Sequence, residues 1–574
     1  MVYDRALAPE EAEALVGQLG QKWGILKEGV GVKPNAGKNS RKEQEPDVDY
    51  TSKVPRYEFG STLAEQEAQL RDNPLLARFR ASREKLAADP YRPRYHFTSP
   101  EGKLNDPNGL CFWQGRWHLF YQAYPPEDPR QHWGHAVSSD LIHWRDLPYA
   151  IYPNPEERSF SGSTLVESDR VIAMYHGTKL GNMVAVSRDP LLLNWEKLTG
   201  GAVVPLKRPD GSPQPFGVYD PCIWKQGDFY YQLSSGCVPG PGRGSGGFPN
   251  DPATGLRANF LLRSKDLITW EYLHPFYEKD PYGLVGDDGA CPYFWPIGDR
   301  HILIHFSHMS GAKYLLGRYD TENQRLIVTG GGNFNFGAVG PSGVHAPTAA
   351  PDGKGGVIVM FNMNEGKPTP GWDHVLSLPR RLTLSPEGDL LQEPAGDYAS
   401  LRGPRKTVGK TVLPANREIV LEGIRGNCLE LQAEIDPKNA SSVELNLLRS
   451  PDETEVTLVS IYPQRGMPYT NRGGRKGQDT VVVLDTSRSS LLPDVRSRPP
   501  ESAPLYLPAG QPIKLQVFLD RSIVEVFVNG RQCLATRVYP GNPESLGVSL
   551  RAIGNDAVLT SAEAWEMKAD SIFQ

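Results

Sequence analysis

"SSDLIHW" (138–144) decides how the long middle of this chain is read, because it returns twice, as "SRDPLLLNW" (187–195) and "SKDLITW" (264–270). Each copy sets Ser-x-Asp before an apolar residue and a tryptophan, and each stands between two strand-like runs. Around the copies, "RWHLFYQAY", "RVIAMYHGT", "DFYYQLSSG", "HILIHFSHM" and "GVIVMFNMN" are apolar or aromatic and are bounded by Gly, Asp or Asn turns. Units that cannot bury their own faces must stack on their neighbours, and short four-stranded units do so radially, as a propeller. Some 300 residues shared by five units leaves roughly 60 for each, a reasonable blade with its loops.

Past "EPAGDYASLRG" (393–403) the texture changes. "NCLELQAEI", "VELNLLRS", "VTLVSIYP", "TVVVLDTS", "IKLQVFLDRSIVEVFVNG" and "GVSLRAIG" alternate strictly, as strands of sheets packed on one face do. This predicts a β-sandwich. "DRSIVEVFVNG" (520–530) ends at Asn-Gly, a strong hairpin signal, and its Asp520 and Glu525 read as turn and surface residues. "RGMPYTNRGGRKG" (465–477) reads as a solvated hairpin tip.

The start of the chain differs again. "APEEAEALVGQLGQKWGIL" and "STLAEQEAQLRDNPLLARFRASREKLAAD" place apolar residues at helical spacing among charges, on either side of the polar "KPNAGKNSRKEQEPDVDYTSK". The reading is helix, mobile linker, helix: an extension packed on the main body or on a second subunit, which leaves a homo-oligomer open. The organisation expected is therefore all-β, with a partly helical N-terminal extension (1–91), a five-bladed β-propeller (92–400) and a C-terminal β-sandwich (401–574).

Composition agrees with short strands and tight turns: 58 Gly, 51 Pro, 24 Tyr and 11 Trp in 574 residues. The net charge of −5 comes from interspersed signs, with no basic stripe to displace counterions, so nucleic acid is not an expected partner. Six cysteines (111, 222, 237, 291, 428, 533) show no CxxC pair or metal-ligand spacing and read as buried thiols. No apolar run approaches the roughly 20 residues of a membrane span. The opening residues show no basic segment followed by an apolar core, which points to the cytoplasm, or to a secreted protein if the chain has been trimmed.

A propeller gathers the first strands of its blades around one axis, so acidic residues far apart in sequence can meet there. Three stations stand beside a turn-forming Pro or Gly at a strand edge: Asp106 in "NDPNG", Asp220 in "VYDPCIW", and Asp287 with Asp288 in "GDDGACPYFWP". Any one alone is readily an Asx turn. Three together, each running into an aromatic strand, suggest a site. The histidines of "HWGH", "HGT" and "HFSHM" lack metal-site spacing and read as hydrogen-bonded pocket or core residues. The glycine-rich "SSGCVPGPGRGSGGFPNDPATG" (234–255) reads as a flexible loop near the funnel rim.

"NDPNG" followed by "WHLFYQ" and "HWGHAVSSDLIHW", then "FSGSTL", "DPCIW", "ACPYFWPIGDRHILIHFSH", "GWDHVLSLPRRL" and "DRSIVEVFVNG", resembles glycoside hydrolase family 32, the β-fructosidases, over residues 92–574. Members of that family are five-bladed propellers with a C-terminal β-sandwich. The resemblance implies a retaining hydrolase of sucrose, fructo-oligosaccharides or fructans that needs no metal or organic cofactor. It makes Asp106 the nucleophile and Asp220 the stabiliser of the fructosyl transition state. It places Gln122, Trp133, Phe160 and Ser161 around the fructose pocket, with Trp133 suited to an aromatic wall and Asn105 and Asn108 suited to holding the loop or binding hydroxyls. In a retaining pair a second carboxyl group protonates the leaving oxygen from about 5–5.5 Å away.

Two departures stand out. The family usually has Arg-Asp-Pro where this chain has Tyr219-Asp220-Pro221, and its acid/base glutamate precedes Cys-Pro where this chain has Ala290. Strand parity puts Asp288 on the face of Ala290 and Asp287 opposite, so Asp288 is the expected acid, and a local bulge would favour Asp287. The altered strands leave room for a fructosyltransferase, a hydrolase of a related fructoside, or a sugar-binding protein that has lost its acid.

Overall fold

The computed structural model describes residues 49–236, 259–277, 282, 287–472 and 475–569. The first predicted helix, most of the polar linker and most of the glycine-rich loop lie outside the described residues. Five antiparallel sheets, each built from strands consecutive in sequence, run from Leu104 to Pro394. Their innermost strands are Leu104–Trp113, Ser159–Val166, Pro221–Gln226, Ala290–Ile297 and Val344–Pro351. These pack side by side around a ring in which the first lies against the fifth, which closes a five-bladed propeller.

The repeated Ser-x-Asp unit is the turn from the third to the fourth strand of blades one, two and three. In blade one Asp140 accepts from the backbone N–H of Ile142 and of His143, both at 2.9 Å, and Leu141 takes the left-handed φ of 73°. Asp266 accepts from Ile268 and Thr269 at 2.9 and 2.7 Å, with Leu267 at φ 69°. A carboxylate that satisfies two N–H groups holds the chain in this reversal and delivers the following tryptophan to the blade interior, where Trp144 and Trp195 are buried.

Two helices, Leu63–Arg71 and Pro74–Leu86, replace the single helical run suggested by the apolar spacing. Asn73 caps the second, accepting from Leu75 and Leu76, and Pro74 at its first position needs no N–H partner, so the chain breaks there. The extension packs on the propeller: Leu75, Leu76 and Phe79 join the apolar core of blade one, and Arg83 makes a two-point contact with Asp146 at 2.5 and 2.7 Å. Buried Gln66 donates to Asp189 at 2.7 Å, while Asp189 also accepts from Leu193 and Asn194. Asp189→Ala would strip these donors of their acceptor in a dry site. A loss of about 1–3 kcal/mol is expected in urea denaturation, and a change below about 0.5 kcal/mol would contradict this role.

The C-terminal strands form a seven-stranded and a six-stranded antiparallel sheet that share one aliphatic core, a β-sandwich. The Asn-Gly turn is as predicted, with Asn529 and Gly530 at φ 53° and 61°. Pro468–Arg472 and Arg475–Gln478 pair as the expected small hairpin. The expectation for Asp520 and Glu525 is overturned: both are fully buried where this sheet meets the propeller. Asp520 accepts from the backbone N–H of Arg94, Tyr95 and His96, and the His96 ring bridges Asp520 (2.9 Å) and Glu525 (3.1 Å). Glu525 also accepts from Leu378 N–H and from Arg380. The hairpin tip reads as surface in isolation; the propeller covers it.

Candidate active site

Every innermost strand brings a polar side chain to one end of the ring. "NDPNG" enters the first strand through two register shifts, and Gly109 at φ 49° permits the second, since a Cβ there would meet Thr164 Cγ2 at 2.7 Å. The irregular backbone aims Asp106 across the ring. Its Oδ2 accepts from Ser161 Oγ at 2.5 Å and from Gln122 Nε2 at 3.3 Å. Its buried Oδ1 has no hydrogen-bond partner and lies 3.6 Å from His345 Nδ1 in the fifth blade, within ion-pair range but beyond a hydrogen bond. One oxygen is thus held by two hydrogen bonds, and the other accepts none.

Asp220 stands just before the third blade's first strand, 3% exposed. Cys291 adopts a left-handed φ of 47°, which turns its N–H onto Asp220 Oδ2 at 3.0 Å and sets its Sγ 3.4 Å from Asp220 and 3.7 Å from Asp106. Burial and then the charge of Asp106 push Asp220 up to about 7. Burial raises Asp106 as well, but His345, Ser161 and His308 outweigh it and hold Asp106 below its ordinary value. Two neighbouring carboxylates therefore differ in proton affinity, Asp106 holding its proton less tightly than Asp220.

The strand parity used to choose between Asp288 and Asp287 does not apply. Both precede the strand, Gly289 takes φ 64°, and the register slips between Ala290 and Tyr293. Contacts separate them instead. Asp288 binds the Nδ1 of His308 at 2.6 Å and its backbone N–H at 3.1 Å. Asp287 accepts from Ser310 and lies 3.5 Å from Lys313 Nζ.

Other residues fall differently from expectation. Trp133 is fully buried between Phe120 and Tyr175 and donates to Phe160 O at 2.9 Å; it is part of the blade core and offers no wall to a sugar. Asn108 is also fully buried and accepts from Gly162 N–H, tying the first blade to the second, so it does not reach substrate. Gln122 and Ser161 hold Asp106 and each other (2.9 Å). Asn105 accepts from Asn362 at 3.0 Å. The half-buried aromatic surface near Asp220 is formed by Phe160 and Tyr219 around His176, with Tyr219 and His176 ring centres 4.7 Å apart. His345 and Cys291 were missed as site residues, and His308 was read only as a hydrogen-bonded pocket or core residue. The position of "GVHAP" at the head of the fifth inner strand was the available signal for His345. Among the described residues no group of three or more His, Cys, Asp or Glu is arranged to hold a metal ion.

A carboxylate of lowered proton affinity with one oxygen free of hydrogen bonds, a second carboxyl group with raised proton affinity, and a propeller with a sandwich packed on it together fit the class of glycoside hydrolases. Residues 96–394 match the glycosyl hydrolases family 32 N-terminal domain and residues 397–566 the family's C-terminal domain. The chain belongs to glycosyl hydrolases family 32. It is 28% identical over 520 residues to a levanase of Bacillus subtilis, covering 83% of this chain and 70% of that protein. It is 28% identical over 536 residues to a sucrose-6-phosphate hydrolase of Zymomonas mobilis, covering 84% and 94%. The solved fructan 1-exohydrolase IIa of Cichorium intybus superposes with a TM-score of 0.70 at 22% identity, over 84% of this chain and 98% of that one. Among the described residues no helix is long and apolar enough to cross a membrane.

Proposed function

We propose that the protein is a retaining β-fructofuranosidase that releases terminal fructosyl units from sucrose or fructans, with Asp106 as nucleophile and Asp220 as stabiliser. The observation that carries this reading is the asymmetry of Asp106, whose Oδ2 is held by Ser161 and Gln122 while Oδ1 accepts no hydrogen bond and lies 3.6 Å from His345 Nδ1. Attack by the Asp106 carboxylate on the anomeric carbon breaks that carbon's bond to the leaving oxygen, which departs protonated, and forms a fructosyl ester that water then cleaves with net retention. Asp220, kept partly protonated by burial beside Asp106, can hydrogen-bond sugar hydroxyls as charge develops on the ring. Phe160 and Tyr219 supply an apolar face. Relatives named levanase and sucrose-6-phosphate hydrolase support the same substrate class.

The test is fructose release from sucrose, inulin and levan by the wild-type protein and by Asp220→Asn. Wild-type release from at least one is expected, and Asp220→Asn should lower kcat on the order of 10²- to 10³-fold, as for a group that acts chiefly in the transition state. Absence of wild-type release from all three would overturn the reading.

A further inference from the structure

The stretch "GWDHVLSLPRRL" (371–382) leads into the strand Val375–Leu376, and two residues at its start hold the chain just ahead of Asp106. Asp373 Oδ1 accepts from Leu104 N–H at 3.1 Å, and its Oδ2 lies 3.8 Å from Lys103 Nζ. His374 reaches Asn105 through Asn362, a residue of the second strand of blade five, Val357–Met363. We infer that His374, held by Glu365, is a positioning residue of the reaction: it acts through Asn362 to fix which end of the Asn105 amide is offered to the substrate. The inference deepens the fructosidase reading above and rests on it.

The order of donors and acceptors between Glu365 and Asn105 carries it. Glu365 Oε2 lies 2.5 Å from His374 Nε2. The His374 hydrogen bond is the first cause of a Glu365 carboxyl held down to about 2 against burial, so Glu365 is a carboxylate and can only accept. Nε2 therefore donates. Nδ1 faces the Asn362 amide nitrogen at 3.2 Å and accepts from it. The other N–H of that nitrogen goes to Asn105 Oδ1 at 3.0 Å. Asn362 is fully buried and its own Oδ1 has no hydrogen-bond partner, so these two acceptors alone select the orientation of its amide. With Oδ1 taken, Asn105 presents Nδ2. That nitrogen meets Tyr124 Oη only at 3.5 Å, the limit of a hydrogen bond, which leaves an N–H for a sugar hydroxyl beside Asp106.

The series is anchored outside the propeller. Arg496 of the sandwich donates to Glu365 Oε1 at 2.7 Å and to its carbonyl at 2.6 Å, and Tyr539 Oη accepts from Gly366 N–H at 3.0 Å. The sandwich thus holds the carboxylate from which the polarity of the Asn105 amide is set.

The experiment measures kcat/KM and a thermal melt for the wild type, His374→Phe, Asn362→Asp, Asn105→Ala and the double variant of His374→Phe with Asn105→Ala. The substrates are sucrose, inulin, levan, and fructosides in which each fructosyl hydroxyl in turn is replaced by fluorine, which accepts weakly and cannot donate. His374→Phe keeps an aromatic ring but frees Asn362 to turn. It is expected to lower kcat/KM roughly 10- to 10²-fold in the wild-type background and less than about twofold in the Asn105→Ala background. Asn362→Asp removes the N–H that holds Asn105 Oδ1, so Asn105 turns Nδ2 inward and offers Oδ1 instead, while His374 takes a proton at Nδ1. At one hydroxyl position the ratio of kcat/KM for hydroxyl over fluorine should then rise about tenfold above its wild-type value, because the substrate must now donate. Equal losses from His374→Phe with and without Asn105, or fluorine ratios that Asn362→Asp leaves unmoved at every position, would overturn the assignment while leaving a fructosidase. Should His374→Phe not fold, the fluorine ratios decide; should Asn362→Asp not fold, the double-mutant cycle decides. A wild type that releases fructose from none of the natural substrates would instead remove the fructosidase reading, and this inference with it.

Discussion

Asp106→Asn is expected to abolish turnover, lowering kcat for fructose release on the order of 10⁴- to 10⁶-fold while leaving the fold intact. The amide keeps the shape of the carboxylate and can still meet Ser161 and Gln122, so packing changes little. What it loses is the negative oxygen that must form the ester, and no neighbour can take over. Asp220 is already committed to the N–H and the thiol of Cys291, and in the wild type the charge of Asp106 raises its pKa. Removing that charge should also lower the pKa of Asp220, because the charge ranks next after burial among the causes holding it up. Comparison of kcat with a thermal melt separates the two effects. Residual activity above about a thousandth of wild type in a normally folded variant would contradict the nucleophile assignment.

The second large effect is on stability. Glu525→Ala is expected to cost about 3–5 kcal/mol in urea denaturation, because it leaves the buried Arg380 and His96 without their shared carboxylate. A loss below about 1 kcal/mol would mean that the network between propeller and sandwich contributes little. pH dependence follows from the directions of the shifts. Burial lowers His96, but Asp520 and Glu525 outweigh it and raise it overall, so its contribution is fully present below the unfolded imidazole value and is lost as pH rises through the higher folded value. Burial raises Asp520 and Glu525, but His96 and its neighbours lower both overall, so theirs is present above the unfolded carboxylate values and is lost as pH falls through the lower folded ones. The network should therefore stabilise most in mildly acidic solution, between the two windows.

The blades were legible because the Ser-x-Asp turn is a local device: its carboxylate satisfies N–H groups two and three residues ahead in blades one and three, and four and five ahead in blade two, so its signature is contiguous. That Asp106, Asp220 and Asp288 come to one end followed from the same geometry, since each carboxylate stands at or just before an inner strand. His308 and His345 were not legible as neighbours of Asp106, because they approach it only when the fourth and fifth blades close on the first. Trp133 was misread for a related reason. An aromatic residue on a blade strand faces either the funnel or the next blade, and the composition of the strand does not distinguish them. Asp520 stands at a hairpin turn, the usual mark of a solvated tip, with Glu525 in the strand that follows, and the docking of the sandwich on residues 94–96, Leu378 and Arg380 buries them.

The most direct measurement of the central claim is the mass of the protein quenched during turnover of sucrose or of a fructan. A covalent fructosyl adduct on the peptide that carries Asp106, missing from Asp106→Asn, is the predicted result. A wild-type protein that turns over substrate with no such adduct, and whose first-formed fructose has inverted configuration, would contradict it.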